Sequence, residues 1–164
     1  VDGSNDVVLD STYPIYRFEF INIHPQNDNA DFYFNLSTDG GSNYNVTKTS
    51  TFFKTEIYED DSYAVLTYDG GRDLAQSTGN QTINNAIGND SDQSISGYLH
   101  LYNPSSSVFV KHFIGRSSGN HASDYATDFY VAGYFNLTTA LTRFQFKMLS
   151  GNIDSGTIKM YGVK

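Results

Sequence analysis

Apolar and polar residues alternate with period two along much of this chain, the pattern of strands that bury one face. Tyr16, Phe18 and Phe20 share one face, and Arg17 and Glu19 the other. The alternation slips at Ile21 and Ile23, which predicts a bulge near Phe20 or burial of both faces there. Phe32, Phe34 and Leu36 then alternate with Asp31, Tyr33 and Asn35, and Thr38-Asp39-Gly40-Gly41 reads as a closing turn. Residues 44–56 predict one or two Thr-rich strands, and Tyr63 to Tyr68 another, ending at Asp69-Gly70-Gly71. Both Gly-Gly pairs are expected to take positive φ. Gly156 is read as a sharp turn into the last strand, and Gly162 as a close backbone approach.

Residues 72–94 lack a period and are expected to form a long surface connection. A hairpin follows, with Leu99 and Leu101 on one face, a turn at Asn103-Pro104-Ser105-Ser106, and Val108, Val110 and Ile114 returning. A four-residue loop pairs Tyr102 with Ser107. It puts His112 on the inner face and Tyr98, His100, Tyr102, Phe109 and Phe113 on the outer one. Residues 117–128 read as a second polar loop, Phe129 to Phe135 as a central strand, and Phe144, Phe146 and Met148 as one face of another strand. Ile158 and Met160 mark the last strand.

Eight to ten short strands and no long helix predict an all-β chain folded as a two-layer antiparallel β-sandwich or a barrel. The connections at 72–94 and 115–128 suit jelly-roll crossovers. The expected organisation is an N-terminal arm or first edge strand over 1–12 and a single β-sandwich domain over 13–164. Composition agrees: 15 Asn, 18 Ser and 14 Thr supply turns, while only 3 Glu, 8 Ala and 9 Leu favour helix. The 13 Tyr and 12 Phe argue against disorder.

Charge and chemistry narrow the function classes. A formal net charge of −8 disfavours a nucleic-acid partner, whose phosphates call for Lys and Arg. No apolar run approaches the ~18–20 residues of a membrane span. The absence of Cys removes thiol nucleophiles, disulfides and thiolate metal sites.

Glycosidase chemistry needs two carboxyls roughly 5–9.5 Å apart. Glu56 and Glu59 would face opposite sides of a strand, and the E-x-D-x-x-E pattern is missing, so no catalytic residue is assigned. Asp28/Asp31, Asp69/Asp73 and Asp90/Asp92 offer oxygen ligands in polar loops, with Asp90 and Asp92 the foremost candidates for Ca²⁺. The four His residues show no paired spacing and are read as background. The aromatic row Tyr98, His100, Tyr102, Phe109, Phe113 is the candidate ligand surface, suited to stacking on a sugar or to packing against another layer or subunit.

Two stretches go further: the run from Tyr16 to Tyr44, with its S-T-D-G-G turn, and the terminal SGNIDSGTIKMYGVK from Ser150 to Lys164. Together they resemble a group of bacteriophage virion surface proteins common in marine phages, with a concanavalin-like or jelly-roll sandwich. The resemblance implies a non-enzymatic structural protein on the virion exterior, foremost a capsid decoration. The alternative it implies is a tail-fibre or receptor-binding domain acting as a carbohydrate-binding module on a host surface glycan. Expected partners are other virion proteins and sibling subunits, with a trimer as one arrangement, and neither nucleic acid nor membrane.

Overall fold

The computed structural model describes residues 9–164. Ten strands are found: β1 (Ile15–Pro25), β2 (Ala30–Ser37), β3 (Lys48–Tyr58), β4 (Ala64–Tyr68), β5 (Gln81–Ile87), β6 (Ile95–Tyr102), β7 (Lys111–Asn120), β8 (Tyr125–Phe135), β9 (Arg143–Met148) and β10 (Ile153–Val163). A seven-stranded sheet, β10-β1-β6-β7-β8-β3-β4, packs on a three-stranded sheet, β5-β2-β9. Every pairing is antiparallel, so the fold is the two-layer β-sandwich that the alternation predicts. Of the arm expected over 1–12, residues 1–8 lie outside the described residues. Leu9 is buried, and its N–H donates to the Thr142 carbonyl at 3.2 Å.

Phenylalanine joins the layers. Phe18 and Phe20 of β1 meet Phe32 of β2 and Phe144 and Phe146 of β9, with ring centroids 4.5–5.3 Å apart. Phe34 continues the seam edge-on to Phe113, at 5.2 Å. Each buried ring removes enough apolar surface from water to contribute about 1.5–3 kcal/mol. The slip after Phe20 is a bulge: the β1 register shifts against both neighbours, and Asn22 takes φ 50°. Gly156 lies inside β10 opposite it, at φ 118°, where an added Cβ would meet the Asn22 carbonyl at 2.6 Å. It serves the bulge instead of introducing the strand. Gly162 does permit a close approach, with the Tyr13 ring lying on it.

Several expectations are corrected. Residues 72–94 contain β5, which is buried along its whole length although it reads Gln-Thr-Ile-Asn-Asn-Ala-Ile. Some of its polar groups find partners within the sandwich: the Asn84 amide donates to Ser117 Oγ at 3.1 Å, and Ser117 donates to the Ile83 carbonyl at 2.8 Å, while the side-chain oxygens of Gln81, Asn84 and Asn85 are buried without a hydrogen bond. Residues 115–128 are no crossover but the hairpin of β7 and β8, adjacent in one sheet. Its Gly and Ser residues allow close packing: a Cβ at Gly115 would press on Leu99 and Val131, and one at Gly119 on Ile95. Gly40 and Gly41 take φ 74° and 96°, whereas the turn at Gly70-Gly71 has no positive φ. Asp31 and Asn35 are buried, not solvent-facing.

The segment 69–80 explains that burial. It forms a strap along one side of the sandwich, pairing with β3 upstream of β4 through Lys48, Ser50, Leu74 and Ser77. Arg72 forms an ion pair with Asp31, whose other oxygen accepts the Ala86 N–H at 2.9 Å. Asn35 donates to the Thr78 carbonyl at 3.1 Å. Lys48 and Lys111 flank Phe135 on the inner face, both fully buried. Lys48 Nζ donates to the Gly79 carbonyl in the strap. Lys111 Nζ donates to the Thr139 carbonyl at 2.7 Å. Among the described residues no carboxylate pairs with either.

Burial pushes the Lys48 ammonium down from 10.5 to about 8. Between those values the unfolded chain binds more protons than the folded one, so stability rises with pH across that window. Below it the buried charge is carried at full cost. Denaturant unfolding at pH 8 and pH 10 is therefore expected to show a gain in wild type, relative to Lys48→Met, of about 2 kcal/mol. Parallel pH dependences in the two proteins would contradict this.

Candidate functional site

Cross-strand register builds the chemistry of the outer face of the seven-stranded sheet. One row starts at the Lys159–Glu19 pair and continues through Tyr98 to Arg116. From Arg116 it passes to Tyr130, Phe53 and Tyr68, reaching the far edge. The next row places Tyr161, Arg17, His100, Ile114 and Ala132 side by side. Seven strands, each contributing alternate residues, thus bring aromatic rings and arginines from distant segments onto one plane.

The arginines are held against the rings. Arg116 lies over the Tyr130 ring, 4.7 Å from its centroid, and Arg17 over Tyr98 at 5.9 Å. Asp128 grips Arg116 in a two-pronged pair, Nε–Oδ1 3.0 Å and Nη2–Oδ2 2.7 Å, and accepts the Tyr130 hydroxyl at 3.1 Å. Those bonds hold the guanidinium well above its ordinary pKa. Phe53 links Tyr130 to Tyr68, with centroid separations of 6.1 and 6.4 Å.

Beside the row, a shallow depression of about 420 Å³ opens over the small residues Ala132 and Gly133. His112 and Ile114 of β7 wall one side of it and Thr49 and Thr51 of β3 the other, with Tyr134 of β8 between them.

Three of the five residues expected in the ligand patch come together here. Tyr98 and His100 have centroids 5.0 Å apart, and the Tyr102 hydroxyl is 3.4 Å from His100 Nδ1. Burial and, secondarily, the Arg17 cation lower the His100 pKa, so the imidazole is neutral at physiological pH. The other two do not join them. Phe113 is a core residue, 1% exposed, and Phe109 lies in the β6–β7 connection, 70% exposed.

The cause is register. A four-residue loop would set Leu101 against Val108, but Leu101 pairs with Phe113, five positions on. An odd slip exchanges the two faces of a strand, so Phe113 turns inward while His112 and Ile114 turn outward. The longer connection is held by Asn103 N–H donating to the Pro14 carbonyl at 2.6 Å and by Ser106 Oγ accepting two backbone N–H groups.

The candidate cation residues are dispersed. Asp90 and Gln93 close a turn on each other, Gln93 N–H to the Asp90 carbonyl at 2.9 Å. Asp92 and Asp154 border a polar depression of about 510 Å³ next to His24, whose Nδ1 is 2.7 Å from the Gln93 carbonyl. Among the described residues no group of three or more His, Asp or Glu is placed to hold a metal. Asp31 is not a loop ligand but the partner of Arg72, and Asp73 accepts the Tyr68 hydroxyl. Glu56 pairs with Lys54 at 2.7 Å. Arg116, Tyr130, Phe53 and Tyr68 escaped the sequence reading because they come from four strands whose pairing no local pattern encodes.

Comparison of the chain with family models, curated proteins and solved structures returns no match.

The Asp128 grip makes a specific expectation for solution. The Arg116 Nε–H should give a slowly exchanging side-chain signal in ¹⁵N–¹H spectra that disappears in Asp128→Ala. The variant should keep its Tm within about 4 °C, because solvent screens an exposed ion pair and leaves it a small share of stability. An unchanged Arg116 signal would contradict the grip.

Proposed function

We propose that this chain is a non-catalytic structural protein of a bacteriophage virion, displayed on the particle exterior as a capsid decoration. It docks through the outer face of its seven-stranded sheet. The observation that carries this reading is the row Tyr98, Arg116, Tyr130, Phe53, Tyr68. Tyr, Phe and Arg are the residue types enriched where proteins bind proteins, and here the arginine is already oriented by Asp128. Pre-oriented side chains lose little freedom on docking, which favours a stable attachment. The strand-and-turn motifs at 16–44 and 150–164 support the virion context by resemblance. The net charge of −8 suits an exposed surface and neither a nucleic-acid nor a membrane partner.

A second reading rests on its own observation. The depression over Ala132, walled by Tyr134 and His112, falls within the ~300–1,000 Å³ range of small-ligand sites. A sugar ring stacked on Tyr134 would make the chain a carbohydrate-binding module of a tail fibre.

The two readings separate by experiment. In co-sedimentation with particles stripped of the protein, wild type is expected to bind. The double variant Arg116→Ala/Tyr130→Ala should lose at least tenfold in affinity, and Tyr134→Ala should behave as wild type. Saturable glycan-array binding lost in Tyr134→Ala, without particle attachment, would replace decoration by the receptor reading.

A further inference from the structure

We infer that β4 is the contact strand of a twofold-symmetric dimer, in which two copies of this chain pair edge to edge into one fourteen-stranded sheet. This proposal stands on the edge geometry alone and does not depend on the virion reading.

β4 is the last strand of the large sheet and, among the described residues, has one neighbour, β3. The bonds Tyr58 N–H to Tyr63 carbonyl, 2.9 Å, and Asp69 N–H to Phe52 carbonyl, 2.9 Å, bracket the β3–β4 ladder and fix its parity. In an antiparallel ladder, alternate residues direct both backbone groups to the neighbour. Val65 and Thr67 therefore face β3, whereas Ala64, Leu66 and Tyr68 point their N–H and C=O groups away from the sheet. Among the described residues only the Tyr68 carbonyl has another partner, the Thr67 hydroxyl at 3.3 Å, and a carbonyl accepts a second bond.

A second copy fits those groups in one register. With Leu66 opposite Leu66, Ala64 of each copy lies opposite Tyr68 of the other. All three outward N–H groups and all three outward C=O groups of each strand are then paired. The side chains agree with the backbone: the Tyr68 ring lies over a small Ala, and two Leu66 side chains, each 72% exposed in the single chain, cover one another.

The contrast with the other edge of the same sheet supports this choice. β10 carries Asp154 and Lys159 and loses its regular register around Gly156, opposite the β1 bulge, and charge and irregularity are devices that keep edges from pairing. β4, Ala-Val-Leu-Thr-Tyr, carries no charge, proline or bulge. A β4–β4 contact is self-complementary and closes at two copies, whereas β4 on β10 would propagate into a filament.

Analytical ultracentrifugation of the full chain tests this. Wild type is expected at twice 18.3 kDa at micromolar concentration. Leu66→Pro removes the central outward N–H without touching the ladder to β3, and Leu66→Lys sets two charges against each other. Both should sediment at 18.3 kDa with an unchanged circular dichroism spectrum. A monomeric or trimeric wild type, or dimers persisting in both variants, would overturn the proposal. Should either variant misfold, hydrogen exchange on wild type decides. The amides of Ala64, Leu66 and Tyr68 should gain at least tenfold protection between dilute and concentrated samples, and unchanged exchange would overturn the proposal.

Discussion

A three-stranded layer cannot cover a seven-stranded one, and much of this molecule follows from that inequality. The phenylalanine seam secures the part of the large sheet that β2 and β9 do cover. Beyond it, β5 packs against β7 and β8, where Ser117 bonds to Asn84 and to the Ile83 carbonyl. The remaining inner face is closed by chain without regular structure. That chain carries backbone polar groups which would be costly to bury unpaired. Lys48 and Lys111 meet the need, reaching from the sheet to carbonyls of the strap and of the 136–140 segment. A buried lysine without an acidic partner is thus a structural tether here, and its lowered pKa is the cost of that placement.

The same inequality leaves two surfaces of the large sheet open. Among the described residues its outer face has no second layer, so residues that alternate with the core, such as Tyr98, Arg116 and Tyr130, meet solvent. The face is well furnished for recognition, and the bonds that organise it are local: Asp128 on Arg116, Arg17 on Tyr98. The strap pairs with β3 only upstream of β4, so no other described segment pairs with the β4 edge. The proposed docking face and the proposed contact edge meet at Tyr68, which ends the aromatic row and lies on the outermost strand of the described sheet.

Parts of this were legible in the chain. Strands whose apolar residues strictly alternate, such as Tyr16–Phe20, Phe32–Leu36 and Phe144–Met148, are found where the period places them. What escaped was structure whose polarity contradicts its position. Gln81 and Asn84 fall in the stretch expected at the surface, yet both are fully buried, as is Lys48, and their nitrogens donate to Arg72, Ser117 and Gly79 from other segments. β7 hid behind its Gly and Ser residues, which mark loops in isolation but here fit closely between the neighbouring strands β6 and β8. In the candidate site, Tyr98, His100 and Tyr102 were visible because they share one strand. Phe113 was misplaced because a hairpin's register depends on how its connection packs, and an odd slip exchanges the faces.

The central claim is that the outer sheet face is the working surface of a non-catalytic display protein. A cryo-EM map of intact particles bearing the chain tests it most directly. The account predicts density for the sandwich at regular capsid positions, with Arg116 and Tyr130 against the neighbouring virion protein and the acidic loops toward solvent. A map with that face turned to solvent, and the sandwich held by another surface, would contradict it.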